Sequence, residues 1–97
     1  MNVECRSRRM RQRYERGDAA VRAWGSDVSR RYVQRVGPLL AAESVQDLFE
    51  VRAFDLHPLT GNRDGQHAMR LTGQMRLILT FVGDRYVTVE EVVDYHG

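Results

Sequence analysis

Lysine is absent from this chain of 97 residues: all 15 of its basic side chains are arginine. No lysine ammonium is therefore present to act as a general acid or a general base. The single cysteine, Cys5, excludes an internal disulfide and a cysteine-only metal site. No apolar run approaches the ~18 residues of a membrane-spanning helix. The arginines near the N-terminus are not followed by the apolar stretch of a secretory signal. These absences point to the cytosol and to no membrane contact. The three histidines, His57, His67 and His96, are far apart and have neither an i, i+4 pairing nor a cysteine partner, so no metal-ligand spacing is present. Gly61 to Gly65 is too short for a phosphate loop and lacks its lysine, and there is no serine or cysteine elbow. No cofactor is expected.

The length sets one domain over residues 1–97, with one modest core. Its charge is unevenly spread. Residues 1–36 hold ten arginines against Glu4, Glu15, Asp18 and Asp27, a net of +6, whereas residues 37–97 hold five against nine acids, a net of −4. A basic half suits a polyanion such as RNA, or an acidic partner protein.

Val3-Glu4-Cys5 reads as a short opening strand. Met10 and Tyr14 make a thin apolar stripe on a helix from Arg6 to Arg16. Gly17-Asp18 breaks it, with Asp18 the expected N-cap of a turn through Trp24. Ser26 is the expected cap of a second helix striped by Val28, Tyr32, Val36, Leu39 and Leu40. Gly37-Pro38 is expected to interrupt that helix. Ser44 to Asp47 carries the pattern of a capped short helix. After Phe49 the period becomes strand-like. Strands are expected over Val51 to Leu56, His67 to Leu71, Met75 to Val82 and Arg85 to Val93, with a turn cluster at Gly61–Gly65 and a hairpin at Gly83-Asp84. A strand, then helices, then four strands predicts an α+β fold, with the helices packed on one face of a mainly antiparallel sheet.

The candidate chemistry lies in the last third. His57 stands before Pro58 at the end of a strand, and His96 is next to the last residue. Asp94 and His96 are two apart, so an extended backbone points both to one face. A carboxylate beside a histidine sets its tautomer and raises its pKa. On the strand Met75 to Val82, residues Met75, Leu77, Leu79 and Phe81 form the better core face. Arg76 is therefore expected on the exposed side, with Arg70 beside it on the preceding strand. Two arginines so placed form a phosphate clamp. His67 is expected to pack under the sheet.

The stretch Leu56-His57-Pro58-Leu59-Thr60-Gly61-Asn62-Arg63-Asp64-Gly65, the later Gln74-Met75-Arg76 and the terminal Asp94-Tyr95-His96 resemble the RelE/ParE superfamily of small bacterial toxins. The resemblance is closest to its HigB branch, the plasmid-maintenance killer proteins, which share LHPL-x-G-[DN]-R-x-G, Q-x-R and DYH motifs. It is strong from Leu56 to His96 and looser over residues 6–50, where Tyr14 to Asp18, Trp24-Gly25 and Ala41 to Leu48 still match. The sequence departs at Thr60, where a basic residue is common, and at Met75 and His67, where tryptophans are common.

The resemblance implies a twisted sheet with an open concave face. It also implies a type II toxin that cleaves mRNA in the ribosomal 30S A site, restrained by a cognate antitoxin, often a helix-turn-helix protein that brings the complex to operator DNA. His57, Arg76, Asp94, Tyr95 and His96 match its catalytic or mRNA-contacting set. RNA carries its own nucleophile, the 2′-hydroxyl. A metal-free cleavage then needs a base, an acid and a cation beside the phosphate. The two histidines suit the first two roles, in either order. Arg76, with Arg63 or Arg70, suits the third, while Asp94 orients His96 and Tyr95 positions a base. Arg8, Arg9 and Arg11 are the further candidates for RNA contact. Two other readings stay open: a ParE-like poison of DNA gyrase, which generally lacks the histidine pair, and a non-catalytic regulatory partner of the antitoxin, which Thr60 favours.

Overall fold

A computed structural model of the chain describes residues 1–94. Strand β1 (Asn2–Cys5) is followed by helices α1 (Arg8–Glu15), α2 (Gly17–Trp24), α3 (Ser26–Ala41) and α4 (Val45–Phe49), and then by strands β2 (His57–Pro58), β3 (His67–Arg70), β4 (Met75–Val82) and β5 (Tyr86–Asp94). The sheet order is β1-β5-β4-β3-β2. β1 runs parallel to β5, and every other pairing is antiparallel. The expected α+β class and mainly antiparallel sheet are what the structure shows.

The helices form one layer because their apolar stripes meet one face of the sheet. Met10, Tyr32, Val36, Leu39 and Leu48 from the helices pack with Met69, Leu77, Leu79, Val87 and Val89 from the strands and with Leu71, which follows β3. Truncating one such leucine to alanine typically costs ~2–5 kcal/mol. Tyr32 ties the helices together. Its hydroxyl donates to the Met10 carbonyl at 3.0 Å, and its ring meets Trp24 and Tyr14 edge-on. Burial pushes the Tyr32 hydroxyl pKa upward, so it stays a neutral donor.

Local expectations fail where one residue's preference meets a larger demand. Asp18 does not cap α2. It lies inside the first turn, where Arg22 and then Arg16 hold its carboxylate below the usual range. Ser26 does not cap α3 either; Gly25 takes the junction at φ 82°, a conformation that favours glycine. Pro38 does not interrupt α3, which runs through it to Ala41. It sits in the last turn, so its missing N–H forfeits one bond, and Ala42 N–H still closes the helix on the Pro38 carbonyl at 2.9 Å. The capped short helix is present, with the Asp47 carboxylate accepting from the N–H groups of Glu43 and Ser44.

The expected strand over Val51 to Leu56 is the main departure. Arg52–Phe54 is a 3-10 turn, Asp55 is left-handed at φ 45°, and strand pairing begins only at His57. Alternation there would set Phe54 and Leu56 on one face with Arg52. The turn instead buries Phe54 in the core. Pro58, which cannot donate to a ladder, then falls on the edge strand.

Candidate functional site

Cross-strand register arranges the sheet face turned away from the helices. His57 of β2 is opposite Ala68 of β3, Ala68 is opposite Ile78 of β4, and Ile78 is opposite Glu91 of β5. The next row is Arg70, Arg76 and Val93, and a third pairs Thr80 with Thr88. Directly opposed residues share a face, so His57, Arg70, Arg76 and Glu91 gather on one surface. A cavity of about 470 Å³ lies toward the hairpin end, bordered by Glu4, Val82, Tyr86 and Thr88.

His57 is half-buried, and its Nδ1 lies 2.8 Å from the Asp55 carbonyl. A carbonyl only accepts, so Nδ1 carries a hydrogen and Nε2 is the basic nitrogen of the neutral ring. The left-handed turn at Asp55 aims that carbonyl. The irregular segment that displaced the expected strand thus sets the tautomer of the candidate base.

Arg76 corrects an expectation. The alternation places it on the face away from the helices, as expected, but it is not exposed: it is 6 % accessible. Its Nη1 donates to the carbonyls of Thr72 at 2.7 Å, Gly73 at 3.3 Å and Met75 at 3.1 Å. The first two belong to the turn between β3 and β4 and the third to the first residue of β4, so the guanidinium is tied to that turn and to the start of its own strand. Its neighbour Arg70 is exposed, and the Arg70 carbonyl accepts from Arg35 Nε at 2.9 Å.

Arg63 lies in a 3-10 turn between β2 and β3, and its Nη1 contacts Gln66 Oε1 at 3.0 Å and Glu91 Oε2 at 3.3 Å. Glu91 stands three strands from β2, a span of ~14 Å at ~4.8 Å per strand. The loop carrying Arg63 therefore leans across this face. Beneath that span Ala68 and Ile78 are buried at 0 % and 1 % exposure, and neither belongs to the core cluster that packs with the helices.

Two carboxylates on this sheet escape the sequence reading. Glu90 occupies a bulge opposite Ile78 and Leu79, and its side chain is 9 % exposed. It accepts from Thr80 Oγ1 at 2.9 Å and Arg6 Nη1 at 3.1 Å. Glu91 follows it on the same surface. The signal was present in Val87-Thr88-Val89-Glu90-Glu91-Val92: the apolar phase 87, 89 slips to 92, which marks an extra residue.

Asp94 is not brought to the face of His57 and Arg76. Its register opposite Met75 puts it on the helix side, at the exposed end of β5. Tyr95 and His96 lie outside the described residues. Arg8, Arg9 and Arg11 are exposed on α1, and Arg11 is paired with Glu15 at 2.7 Å. His67 packs under the sheet as expected, its ring 5.1 Å from Phe81 and 5.9 Å from Phe49. Burial, and then the charge of His57, lower its pKa. Among the described residues no three histidine, cysteine or acidic side chains gather as metal ligands, and no helix is long and apolar enough to cross a membrane.

No family model matches the sequence, and no curated protein matches it. Solved structures do. A YafQ mutant from E. coli superposes with a TM-score of 0.66 at 15 % identity, over 96 % of this chain and 91 % of that one. The YoeB–YefM complex from Staphylococcus aureus gives 0.56 at 18 % identity, over 100 % and 98 %. The YoeB/ParE toxin from Agrobacterium tumefaciens gives 0.57 at 14 % identity, over 99 % and 100 %. Likeness at this identity is likeness of fold, and the chain has the α+β fold of YafQ and of the YoeB/ParE toxins.

Proposed function

We propose that this chain is the toxin of a type II toxin–antitoxin pair, of the HigB type within the RelE/ParE superfamily. It acts as an endoribonuclease that cuts mRNA in the ribosomal A site. The observation that carries the reading is one surface holding His57, with a defined basic nitrogen, beside the Arg70–Arg76 row. The shared fold and the Leu56–His96 motifs support it.

The chemistry uses side chains alone. A base takes the proton of the 2′-hydroxyl, and that oxygen attacks the adjacent phosphorus. An acid protonates the departing 5′-oxygen, which leaves a 2′,3′-cyclic phosphate. His57 and His96 share the acid and base roles. Arg76, with Arg70 or Arg63, stabilises the charge that develops on phosphate. Tyr95 positions a base. Asp94 orients His96 from the end of β5, without itself meeting the substrate.

One structural neighbour, YoeB, is in a complex with YefM. A protein partner for this chain, its antitoxin, is proposed on the same footing. The reading is tested by adding the protein to a translating extract and mapping mRNA ends. Cuts within codons on ribosomes support it. Gyrase-dependent DNA breaks with intact mRNA would replace it with the ParE-like reading, which the fold of the YoeB/ParE toxin also allows.

A further inference from the structure

We propose that Glu91 is a positioning residue for Arg63, and that the pair holds the Arg63 guanidinium as a phosphate-binding fork on the surface shared by His57 and Arg76. The inference rests on the ribonuclease reading above. Glu91 stands at the end of the row that begins with His57. A bare carboxylate there would repel an incoming phosphodiester. Arg63 neutralises it, and does so with one nitrogen only: Nη1 takes both Gln66 Oε1 and Glu91 Oε2. Nε and Nη2 donate to no acceptor among the described residues. These two nitrogens form the edge of a guanidinium that matches two phosphate oxygens at once.

Both side chains remain solvated, at 38 % and 51 % exposure. An ion pair so exposed adds little to stability, which leaves the holding of Arg63 as its main effect. Gln66 fixes the guanidinium from its own loop, and Glu91 fixes it from β5. Together they orient a side chain that would otherwise sample many rotamers.

The test compares cleavage of ribosome-bound mRNA by the wild type, Arg63→Ala, Glu91→Ala, Glu91→Gln and the double variant Arg63→Ala/Glu91→Gln, with thermal melts to confirm folding. Arg63→Ala is expected to raise KM about tenfold, the loss of a charge-assisted bond to the bound phosphate, and to lower kcat as well, because the same group faces the charge that develops on phosphate. Glu91→Ala shifts KM in the same direction by less. Glu91→Gln recovers most of that loss, because its carbonyl still accepts from Nη1. The double variant binds better than Arg63→Ala, since it removes a carboxylate that nothing then neutralises. A folded Glu91→Ala with the wild-type KM overturns the proposal, as does a double variant whose loss is the product of the two single losses. If the wild type itself leaves mRNA intact, the ribonuclease reading has failed and this proposal with it. If the wild type cuts and the Glu91 series is flat, the ribonuclease reading stands and this proposal alone falls.

Discussion

Arg70 and Arg76 face one another directly across the β3–β4 ladder. Like charges so opposed are destabilising by themselves. The pair is tolerated because its members live in different surroundings. Arg76 is buried and held by the carbonyls of Thr72, Gly73 and Met75, whereas Arg70 is exposed. An anion bound between them would relieve the repulsion.

That asymmetry separates two variants. Arg76→Ala strips a buried donor from the Thr72 carbonyl and its neighbours, so it is expected to cost ~1–3 kcal/mol of stability as well as cleavage. Arg70→Ala is expected to stay within ~0.5 kcal/mol of the wild type and to weaken RNA binding only. Thermal melts beside cleavage assays measure both. Equal melting losses would mean that the two arginines are equally structural.

The C-terminal residues carry the sharpest functional prediction. Deleting Tyr95, His96 and Gly97 is expected to abolish cleavage while the fold persists, because the sheet core is supplied by Leu77, Leu79, Val87 and Val89. His57→Ala and His96→Ala are each expected to lower the rate by ~10²–10⁴. The double variant should lose less than the product, as groups that act together do. Primer extension on ribosome-bound mRNA reads the rate. A folded truncation cutting at the wild-type rate would remove the chain end from the mechanism.

His67 makes stability depend on pH. Its folded-state pKa lies below the usual ~6.5, so in mild acid the unfolded chain binds the proton more readily. The stabilisation is complete above the unfolded pKa and is lost as pH falls through the folded one. The melting temperature is therefore expected to drop as the pH falls below about 6.5, the usual value for histidine. His67→Phe keeps an aromatic ring between Phe49 and Phe81 and is expected to reduce that drop. An identical pH profile in the variant would assign the effect to other groups.

On α1 the basic residues are not equivalent. Arg8 and Arg9 are exposed, whereas the charge of Arg11 is partly committed to Glu15. Replacing Arg8 and Arg9 with alanine should weaken ribosome association and flatten its salt dependence, by ~0.7–0.9 in slope for each phosphate no longer neutralised. Arg11→Ala should change the slope less. Ribosome co-sedimentation across a salt series gives these slopes, and three equal slopes would contradict the distinction.

Much of the architecture is legible in the residues themselves. The alternation of Met75 to Val82 marks both β4 and its core face, because a strand with one buried side must repeat every two residues. Gly83-Asp84 marks the hairpin. Ser44 to Asp47 marks a short helix through its cap. The site is legible as residue types and motifs: an imidazole before a proline, and arginines on alternate positions of two strands.

What the sequence determines by itself is thus local: period, caps, turns and the chemistry of single side chains. Tertiary structure decided whatever depends on a partner distant in the chain. Val51 to Leu56 has strand-forming residues, yet burying Phe54 bends it into a turn, and that turn sets the tautomer of His57. Arg76 reads as exposed by alternation, yet it is buried, with carbonyls of the neighbouring turn accepting from its guanidinium. Glu91 reads as a solvated acid until strand register places it within reach of Arg63, 28 residues away. No local preference encodes such a distance, because the energy that sets it is the burial of one sheet face against the helices.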